Sequence, residues 1–420
     1  MQLGAVVVFH PEARVAPHRL VALLAERAGR LPGLRRRVSP RWLLSGGDVW
    51  VPDPRFDPRA HIEVHRLRGG DRDAVAALAA HLMTEPLDLT RPLWQLHLLT
   101  GLAEGRFAVL VKLHHAVADG LRAVELGLGL LDGYTDRVAS RSPADPPARS
   151  VLAALCPYRL LGRVARLPDR IREIADMAGI AAAVLSSARL GTTGPLTTTA
   201  PAERVLALVR LDTADIRQVR RRHGGTDNDV LLAVLAGALR EWLDQRGHPA
   251  DGLRLRALVP VSRRSRPPAQ QGNVLSAYLC PLPVEEDNPV ARLRAVRSAM
   301  DRNKAAGPGR GPGALPVLAD RVPGPVHRIL TPFARHSAGR LFDTVVTNVP
   351  VPVLPLSLGG AALSEVYPIA PLAHGQALGV ALSTRGPTVH IGLHADRRAV
   401  PDLDKLAQGI PTALSSLHSM

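Results

Sequence analysis

Two kinds of hydrophobic pattern recur along the chain, and each predicts a different element. Short apolar runs rich in β-branched residues predict buried strands at 3–9 (LGAVVVF) and 106–115 (RFAVLVKLHH). The second run follows PLWQLHLLTGL at 92–102, and the two runs together predict a hairpin. Apolar residues three and four positions apart predict amphipathic helices, for example at 17–31 and 71–87. The interleaved strands and helices predict an α/β chain with mixed sheets.

Similar strand-and-helix sets occupy 1–135 and 205–420, although no repeat is visible in the sequence itself. The intervening 136–204 begins with a loop rich in proline and serine and continues with arginines interleaved with aliphatic residues at helical spacing. This segment is either a pair of connecting helices packed on both sets or an amphipathic helix on a membrane surface. We therefore expect an N-terminal subdomain, a partly helical linker and a C-terminal subdomain.

The pattern of the second set predicts core strands at 204–212 and 343–356 and a hairpin at 377–396. A stretch rich in glycine and proline at 305–316 predicts a loop. A long helix is predicted to start at Asn228, whose side chain is able to cap the backbone donors of the first turn.

The composition is that of a globular protein with an aliphatic core, since 46% of the 420 residues are hydrophobic but only 3% are aromatic. The net charge of +16 comes from arginines scattered along the chain, because Lys112, Lys304 and Lys405 are the only lysines. Without stacking aromatics or a sustained basic stripe, the composition argues against nucleic-acid binding. An anionic small substrate or an anionic lipid surface agrees with the charge.

The cysteine content and the N-terminal sequence predict a cytoplasmic protein. Cys156 and Cys280 are the only cysteines, which excludes a disulfide framework and favours a reducing compartment. The chain begins without the basic region of a signal peptide, and no apolar run approaches the length of a membrane span. We expect the protein to associate at most peripherally with the inner face of the cell membrane or with lipid inclusions.

The stretch HHAVADG at 114–120 places reactive side chains directly after a buried strand. A neutral histidine can take a proton near pH 7. Strand alternation points His114 and His115 to opposite sides, so only one of them can face a given pocket. Gly120 favours a tight turn in which Asp119 holds the loop.

Three interpretations of this stretch compete: a structural histidine–aspartate loop, a metal site, and a histidine general base for acyl transfer. The third is favoured, and no metal site is expected, because no third ligand stands out at a close spacing.

HHAVADG resembles the HHxxxDG motif of the bacterial wax ester synthase/diacylglycerol acyltransferase family, one of the CoA-dependent acyltransferases that share the chloramphenicol acetyltransferase fold. Three further blocks resemble those of the same family, namely PLWQLHLL at 92–99, NDVLLAVLAGALR at 228–240 and FDTVVTNVPVP at 342–352. The resemblance runs from near residue 2 to about residue 415. It implies two chloramphenicol acetyltransferase-like subdomains that form a pseudo-dimer.

The resemblance also implies roles for single residues. His115 is the expected catalytic base, Asp119 shapes the loop and His114 supports it. The expected substrates are long-chain acyl-CoA and diacylglycerol or a long-chain alcohol, with no cofactor beyond acyl-CoA as co-substrate. The expected substrate-binding residues are Gly120, Pro92, Leu93, Trp94, Asn228, Asp229 and Asn348.

Structural explanations remain open for these binding candidates: packing for the Pro-Leu-Trp block, helix capping for the Asn-Asp block and a turn for Asn348. Two other functions also remain open. One is an acyltransferase or condensation-type enzyme of specialised metabolism, and the other is a non-catalytic lipid-surface protein that keeps the fold.

Overall fold

The structure is a computed structural model that describes residues 1–13, 15–39, 49–118, 120–140, 194–198, 203–262, 275–306, 341–373 and 375–420. Three predictions therefore lie outside the described residues: Asp119, most of the 136–204 linker, and the 305–316 loop beyond Ala306.

Helices and strands are interleaved along the chain, as the pattern predicts. The strands of the N-terminal part are β1 (Gln2–His10), β2 (Arg36–Ser39), β3 (Val49–Pro52), β4 (Ile62–Gly70), β5 (Trp94–Leu102) and β6 (Phe107–His114). Its helices are α1 (Pro17–Arg30), α2 (Arg72–Thr84), α3 (Gly120–Gly129) and α4 (Thr135–Ser140).

The C-terminal part begins at residue 204. Its strands are β7 (Arg204–Asp212), β8 (Leu255–Ser262), β9 (Leu275–Leu282), β10 (Thr344–Val349), β11 (Ser357–Leu358), β12 (Ala361–Ile369), β13 (Leu378–Arg385) and β14 (Thr388–Asp396). Its helices are α5 (Thr213–His223), α6 (Asp227–Gln245), α7 (Pro289–Ala306) and α8 (Leu403–His418).

Local sequence signals explain where several of these elements begin and end. The Asp71 side chain caps α2 by accepting a hydrogen bond from the Ala74 backbone N–H (2.8 Å). Pro17 opens α1, a position where its missing N–H costs nothing. The strand predicted at 343–356 is wrong beyond Val349, because the prolines that follow cannot donate to a sheet ladder.

Two six-stranded mixed sheets form the framework. The first has the order β11-β12-β1-β6-β5-β4, and the second has the order β7-β14-β13-β10-β8-β9. The two predicted hairpins are confirmed, since β5 pairs antiparallel with β6 and β13 pairs antiparallel with β14. We call the first sheet with its packed helices the first lobe and the second sheet with its packed helices the second lobe.

Strand β12 crosses from the C-terminal part of the chain into the first sheet. It pairs antiparallel with β1, from Gly4 opposite Ile369 to His10 opposite Ala362. The sequence division at 205–420 therefore does not follow the sheets. The reason is that β6 pairs with only one side of β1, and among the described residues β12 is the strand that pairs with the backbone groups on the other side.

The crossover is anchored by Asp132, which follows α3. Its carboxylate accepts hydrogen bonds from the Ser357 hydroxyl (2.7 Å) and from the backbone N–H groups of Gly359 (3.1 Å) and Gly360 (3.0 Å). Both glycines have positive φ, which a turn of this shape requires. Burial alone would raise the pKa of Asp132, but these hydrogen bonds, together with one from the Arg27 guanidinium, outweigh it and lower the pKa to about 2.

Helix α2 lies between the two lobes and contacts β4 on one side and β7 on the other. Its apolar face, including Val75 and Ala79, shares a core cluster with Leu110 of the first sheet and with Leu206 and Leu208 of β7. The lobes are thus joined by a continuous hydrophobic core as well as by β12.

Close backbone contact also joins the lobes where β14 passes β12. A Cβ added to Gly392 would lie 2.0 Å from the Pro368 carbonyl oxygen, so only glycine fits this position. Nearby, the Ser383 hydroxyl donates to the Val366 carbonyl (2.6 Å), and His394 Nδ1 lies 2.7 Å from the Ala370 carbonyl. The two sheets are therefore in direct hydrogen-bonding contact.

Among the helices that the structure describes, none combines the length and the apolar character needed to cross a membrane.

Candidate active site

Strand β6 carries the HHAVADG stretch to the edge of the first lobe. It lies between β1 and β5, and its apolar residues, including Phe107 and Leu113, are buried. At its end, the His114 backbone N–H donates to the Leu93 carbonyl (3.0 Å), and the His115 N–H donates to the Met1 carbonyl (2.9 Å). The turn is therefore held to the neighbouring strands on both sides.

The His114 ring is engaged within its own turn. Its Nδ1 atom accepts a hydrogen bond from the Ala116 backbone N–H (3.2 Å), and its Nε2 atom lies 3.1 Å from the Met1 backbone nitrogen. A ring with these contacts shapes the loop, which agrees with the supporting role expected for His114.

The His115 ring has a different environment. Its side chain is exposed, and among the described residues no hydrogen bond or ion pair engages its imidazole. Val117 and Ala118 then turn inward and pack in the core of the first lobe, which fixes the position of the turn. The geometry thus holds the His115 backbone while leaving its imidazole accessible to a substrate.

The rest of the motif is described only in part. Gly120 is the first residue of α3, so the glycine marks the passage from turn to helix. Asp119 is outside the described residues, and its loop-shaping role stays a prediction.

The Pro-Leu-Trp block packs in the core immediately beside this turn. Leu93 and Trp94 are each only 1% exposed. The Trp94 indole N–H donates to the Leu34 carbonyl (2.7 Å), and its ring stacks on His61 with centroids 4.6 Å apart. Pro92 is also buried. The structure gives this block a packing role and, through the Leu93 carbonyl, a role in positioning His114; substrate contact stays a prediction.

Asn348 approaches the motif from the second lobe. It lies on β10, where it is exposed, and β10 contacts α3, the helix that Gly120 begins. Val351, just beyond the strand, packs in the same cluster as Val117 and Ala118. The Asn-Val-Pro block therefore lies where the two lobes meet, next to the helix of the histidine motif.

The Asn-Asp block lies in the first turn of α6, in the second lobe. The expected capping role of Asn228 is wrong, because α6 begins one residue earlier, at Asp227, and Thr226 is its N-cap. Thr226 and Asp229 form a reciprocal capping box, which the spacing of a threonine three residues before an aspartate signals in the sequence. Asp229 is buried, whereas Asn228 is partly exposed.

Cys280 is enclosed in the second lobe and is not placed for nucleophilic chemistry. Burial raises the pKa of its thiol to about 12, so the thiolate is not populated near neutral pH. Cys156 lies outside the described residues.

The fold is that of the two-lobed CoA-dependent acyltransferases. The wax ester synthase/diacylglycerol acyltransferase from Marinobacter aquaeolei VT8 superposes with a TM-score of 0.71 at 24% identity, covering 99% of this chain and 94% of that one. The first condensation domain of the CDA synthetase superposes with a TM-score of 0.60 at 16% identity, covering 99% and 91%. The expected pair of chloramphenicol acetyltransferase-like lobes is thereby confirmed.

Sequence comparison identifies the family within this fold. The model of the wax ester synthase/diacylglycerol acyltransferase catalytic domain matches residues 1–231, and the model of the WS/DGAT C-terminal domain matches residues 271–418. The chain belongs to the wax ester synthase/diacylglycerol acyltransferase family, and it is an acyltransferase.

Two curated relatives come from Mycobacterium tuberculosis strain H37Rv. The probable diacylglycerol O-acyltransferase tgs1 is 34% identical in an alignment of 394 positions that covers 92% of this chain and 84% of the relative. The probable diacylglycerol O-acyltransferase tgs2 is 30% identical in an alignment of 449 positions, gaps included, that covers 100% of this chain and 94% of the relative.

Proposed function

We propose that this acyltransferase moves a long-chain acyl group from acyl-CoA to the hydroxyl group of diacylglycerol, and also to long-chain alcohols. The observation that carries the proposal is the accessible His115 imidazole, held at the end of β6 inside an intact HHAVADG stretch. The names of the mycobacterial relatives support diacylglycerol as the acceptor.

His115 acts as the general base in a direct transfer between the two bound substrates. Its imidazole takes the proton of the acceptor hydroxyl while that oxygen attacks the thioester carbonyl carbon. The tetrahedral intermediate then collapses, the carbon–sulfur bond breaks, and the imidazolium returns its proton to the departing CoA sulfur. Binding both substrates beside one base supplies proximity, so the step needs no acyl-enzyme.

We further propose that the enzyme works at a lipid surface, since diacylglycerol resides in membranes and lipid inclusions. The net charge of +16 favours contact with anionic headgroups and with the anionic CoA. Two exposed apolar residues beside the Asn-Val-Pro block, Val353 (94% exposed) and Leu354 (42% exposed), give that surface an apolar contact near the site.

The test is CoA release by the purified protein with palmitoyl-CoA and either diolein or hexadecanol, with the products separated by thin-layer chromatography. We expect triacylglycerol with diolein and wax ester with hexadecanol. In His115→Ala, loss of the base lowers turnover by about 10²–10⁴-fold, and the melting temperature stays close to that of the wild type because the ring is exposed.

His81→Ala is the matched control, since its histidine is also exposed but belongs to α2 and not to the motif. This variant keeps full turnover. Wild-type rates in His115→Ala would contradict the proposed base, and absence of both products from the wild type would contradict the proposed acceptors.

A further inference from the structure

Three potential metal ligands meet on one face of the first sheet, away from the histidine motif. Glu63 and His65 are two residues apart on β4, so their side chains point to the same face. Strand β5 runs parallel to β4 and places His97 opposite Glu63 in the register. We call these residues the Glu63–His65–His97 cluster.

The distances within this cluster match those of a metal coordination sphere. His65 Nε2 lies 3.2 Å from His97 Nδ1 and 3.6 Å from Glu63 Oε2, and His97 Nδ1 lies 3.5 Å from Glu63 Oε2. A tetrahedral Zn²⁺ ion about 2.1 Å from its ligands separates the ligand atoms by about 3.4 Å. A single ion can therefore contact all three atoms with little movement of the side chains.

The surroundings suit an ion with one position open to solvent. His97 is 1% exposed, whereas the Glu63 side chain is 57% exposed, so the cluster extends from the core to the surface. Lys112, whose charge acts on both His97 and Glu63, donates hydrogen bonds to the Leu82 carbonyl (2.7 Å) and the Gln95 amide oxygen (3.0 Å). Among the described residues it forms no direct ion pair with the Glu63 carboxylate, which leaves that carboxylate available to an ion.

We propose that Glu63, His65 and His97 bind a divalent transition metal of the Zn²⁺ class through Oε2, Nε2 and Nδ1. Two imidazoles and one carboxylate are a donor set that such metals favour. Strand β4 is at the edge of the sheet and carries two of the ligands, while β5 carries the third. The bound ion fastens the edge strand to the sheet, so this site is structural and does not depend on the acyl-transfer proposal.

The experiment uses the full chain without an affinity tag, stripped with a chelator and dialysed. Zn²⁺ binding is measured by calorimetry, and Co²⁺ binding by the visible absorption that four-coordinate Co²⁺ produces. We expect micromolar or tighter binding of Zn²⁺, Co²⁺ absorption that Zn²⁺ abolishes, and a higher melting temperature with Zn²⁺ because the ion binds only the folded state.

Two ligand variants and one matched control test the assignment. Glu63→Gln and His65→Ala each weaken Zn²⁺ affinity at least about tenfold, and the double variant loses one equivalent of bound metal. The control is His18→Ala, which removes an exposed histidine on α1 that belongs to no group of three possible metal ligands among the described residues. The control keeps wild-type affinity.

The proposal is overturned if the wild type binds no Zn²⁺ at micromolar concentration. It is also overturned if the double variant binds as much metal as the wild type with the same affinity. Circular dichroism of each variant shows whether the fold is retained, and the single variant Glu63→Gln, which preserves side-chain size at an exposed position, keeps the test valid if His65→Ala unfolds.

Discussion

Asn228 and Asp229 are neighbours in sequence, but only Asp229 is enclosed by the protein. Its Oδ2 atom accepts hydrogen bonds from both the backbone N–H and the hydroxyl of Thr226, each at 2.8 Å. Its Oδ1 atom is buried without a hydrogen-bond partner in the described residues. The aspartate therefore has a clear structural role at the start of α6, and the partly exposed Asn228 is the member of the pair that is accessible to a ligand.

We expect Asp229→Ala to destabilise the protein by about 1–2 kcal/mol, because it removes the capping box and leaves Thr226 without its partner. Asn228→Ala is expected to change stability by less than about 0.5 kcal/mol. Thermal melts of both variants check this order. If Asn228 binds substrate, Asn228→Ala also raises KM without lowering the melting temperature. A destabilised Asn228→Ala beside a stable Asp229→Ala would contradict the structural role given to Asp229.

At the scale of elements, the chain passes within a few residues from strand β10 to an exposed segment outside the sheet. Val346 is 2% exposed, whereas Val353 is 94% exposed. The prolines at 350, 352 and 355 prevent the segment from extending the sheet, so its apolar side chains are left at the surface. The Arg385 guanidinium donates to the Leu363 and Leu354 carbonyls and holds the segment in place.

The double variant Val353→Asp/Leu354→Asp is expected to reduce binding to lipid vesicles severalfold, because it replaces the apolar contact with charges that anionic lipid repels. Flotation with vesicles of phosphatidylcholine alone and with added phosphatidylglycerol measures the effect. Leu89→Asp, at another leucine that is 63% exposed, is the control and keeps wild-type binding. Equal losses in both proteins would show that general surface hydrophobicity, rather than this segment, governs the binding.

At the scale of the whole molecule, neutral histidines are buried where the second sheet meets the first. His390 and His394 lie on β14, and burial lowers the pKa of each to about 4. The bond to the Ala370 carbonyl favours the charged form of His394, and the cation of Arg204 disfavours it, but burial outweighs both. In the unfolded chain these rings take a proton below about pH 6.5.

The contribution of these two histidines to the free energy of unfolding is therefore expected to be present in full above about pH 6.5. It falls progressively as the pH drops towards 4, because the unfolded state then binds more protons than the folded state. Melting temperatures between pH 7.5 and 4.5 measure this fall. His394→Gln should melt lower than the wild type at pH 7.5 but lose less on acidification. His81→Gln, at an exposed histidine, should follow the wild-type profile; an unchanged slope in His394→Gln would contradict the explanation.

The sequence predicted elements whose signal is local. The run at 106–115 has the composition of a buried strand, and α2 has an N-cap aspartate followed by helical spacing, so both were predicted within two or three residues. Strand β12 was not predicted, because Glu365 and Pro368 interrupt its apolar pattern. The Glu365 carboxylate is instead satisfied by the Tyr367 hydroxyl (2.6 Å) and by Arg210 (3.3 Å), partners that only the folded chain provides.

The difference between a local sequence signal and a contact made only on folding also applies to the histidine motif and to the proposed metal site. HHAVADG could be found in the sequence because its residues are contiguous, and the structure adds that His114 is engaged while the ring of His115 is accessible. The Glu63–His65–His97 cluster could not be found, because parallel pairing of β4 with β5 brings His97 to residues more than thirty positions earlier. Spacing rules for metal ligands detect sites on one loop or helix, not sites assembled across strands.

The pairing of β1 with β12 has a consequence for synthesis on the ribosome. Residues 2–10 leave the ribosome about 350 residues before their outer partner, residues 361–369. At about 5–20 residues per second, the outer edge of β1 waits on the order of 20–70 seconds for that strand. An uncovered apolar edge is a site for pairing with other chains. We therefore expect nascent chains to need chaperones that shield strand edges, and slower translation to lengthen the exposure.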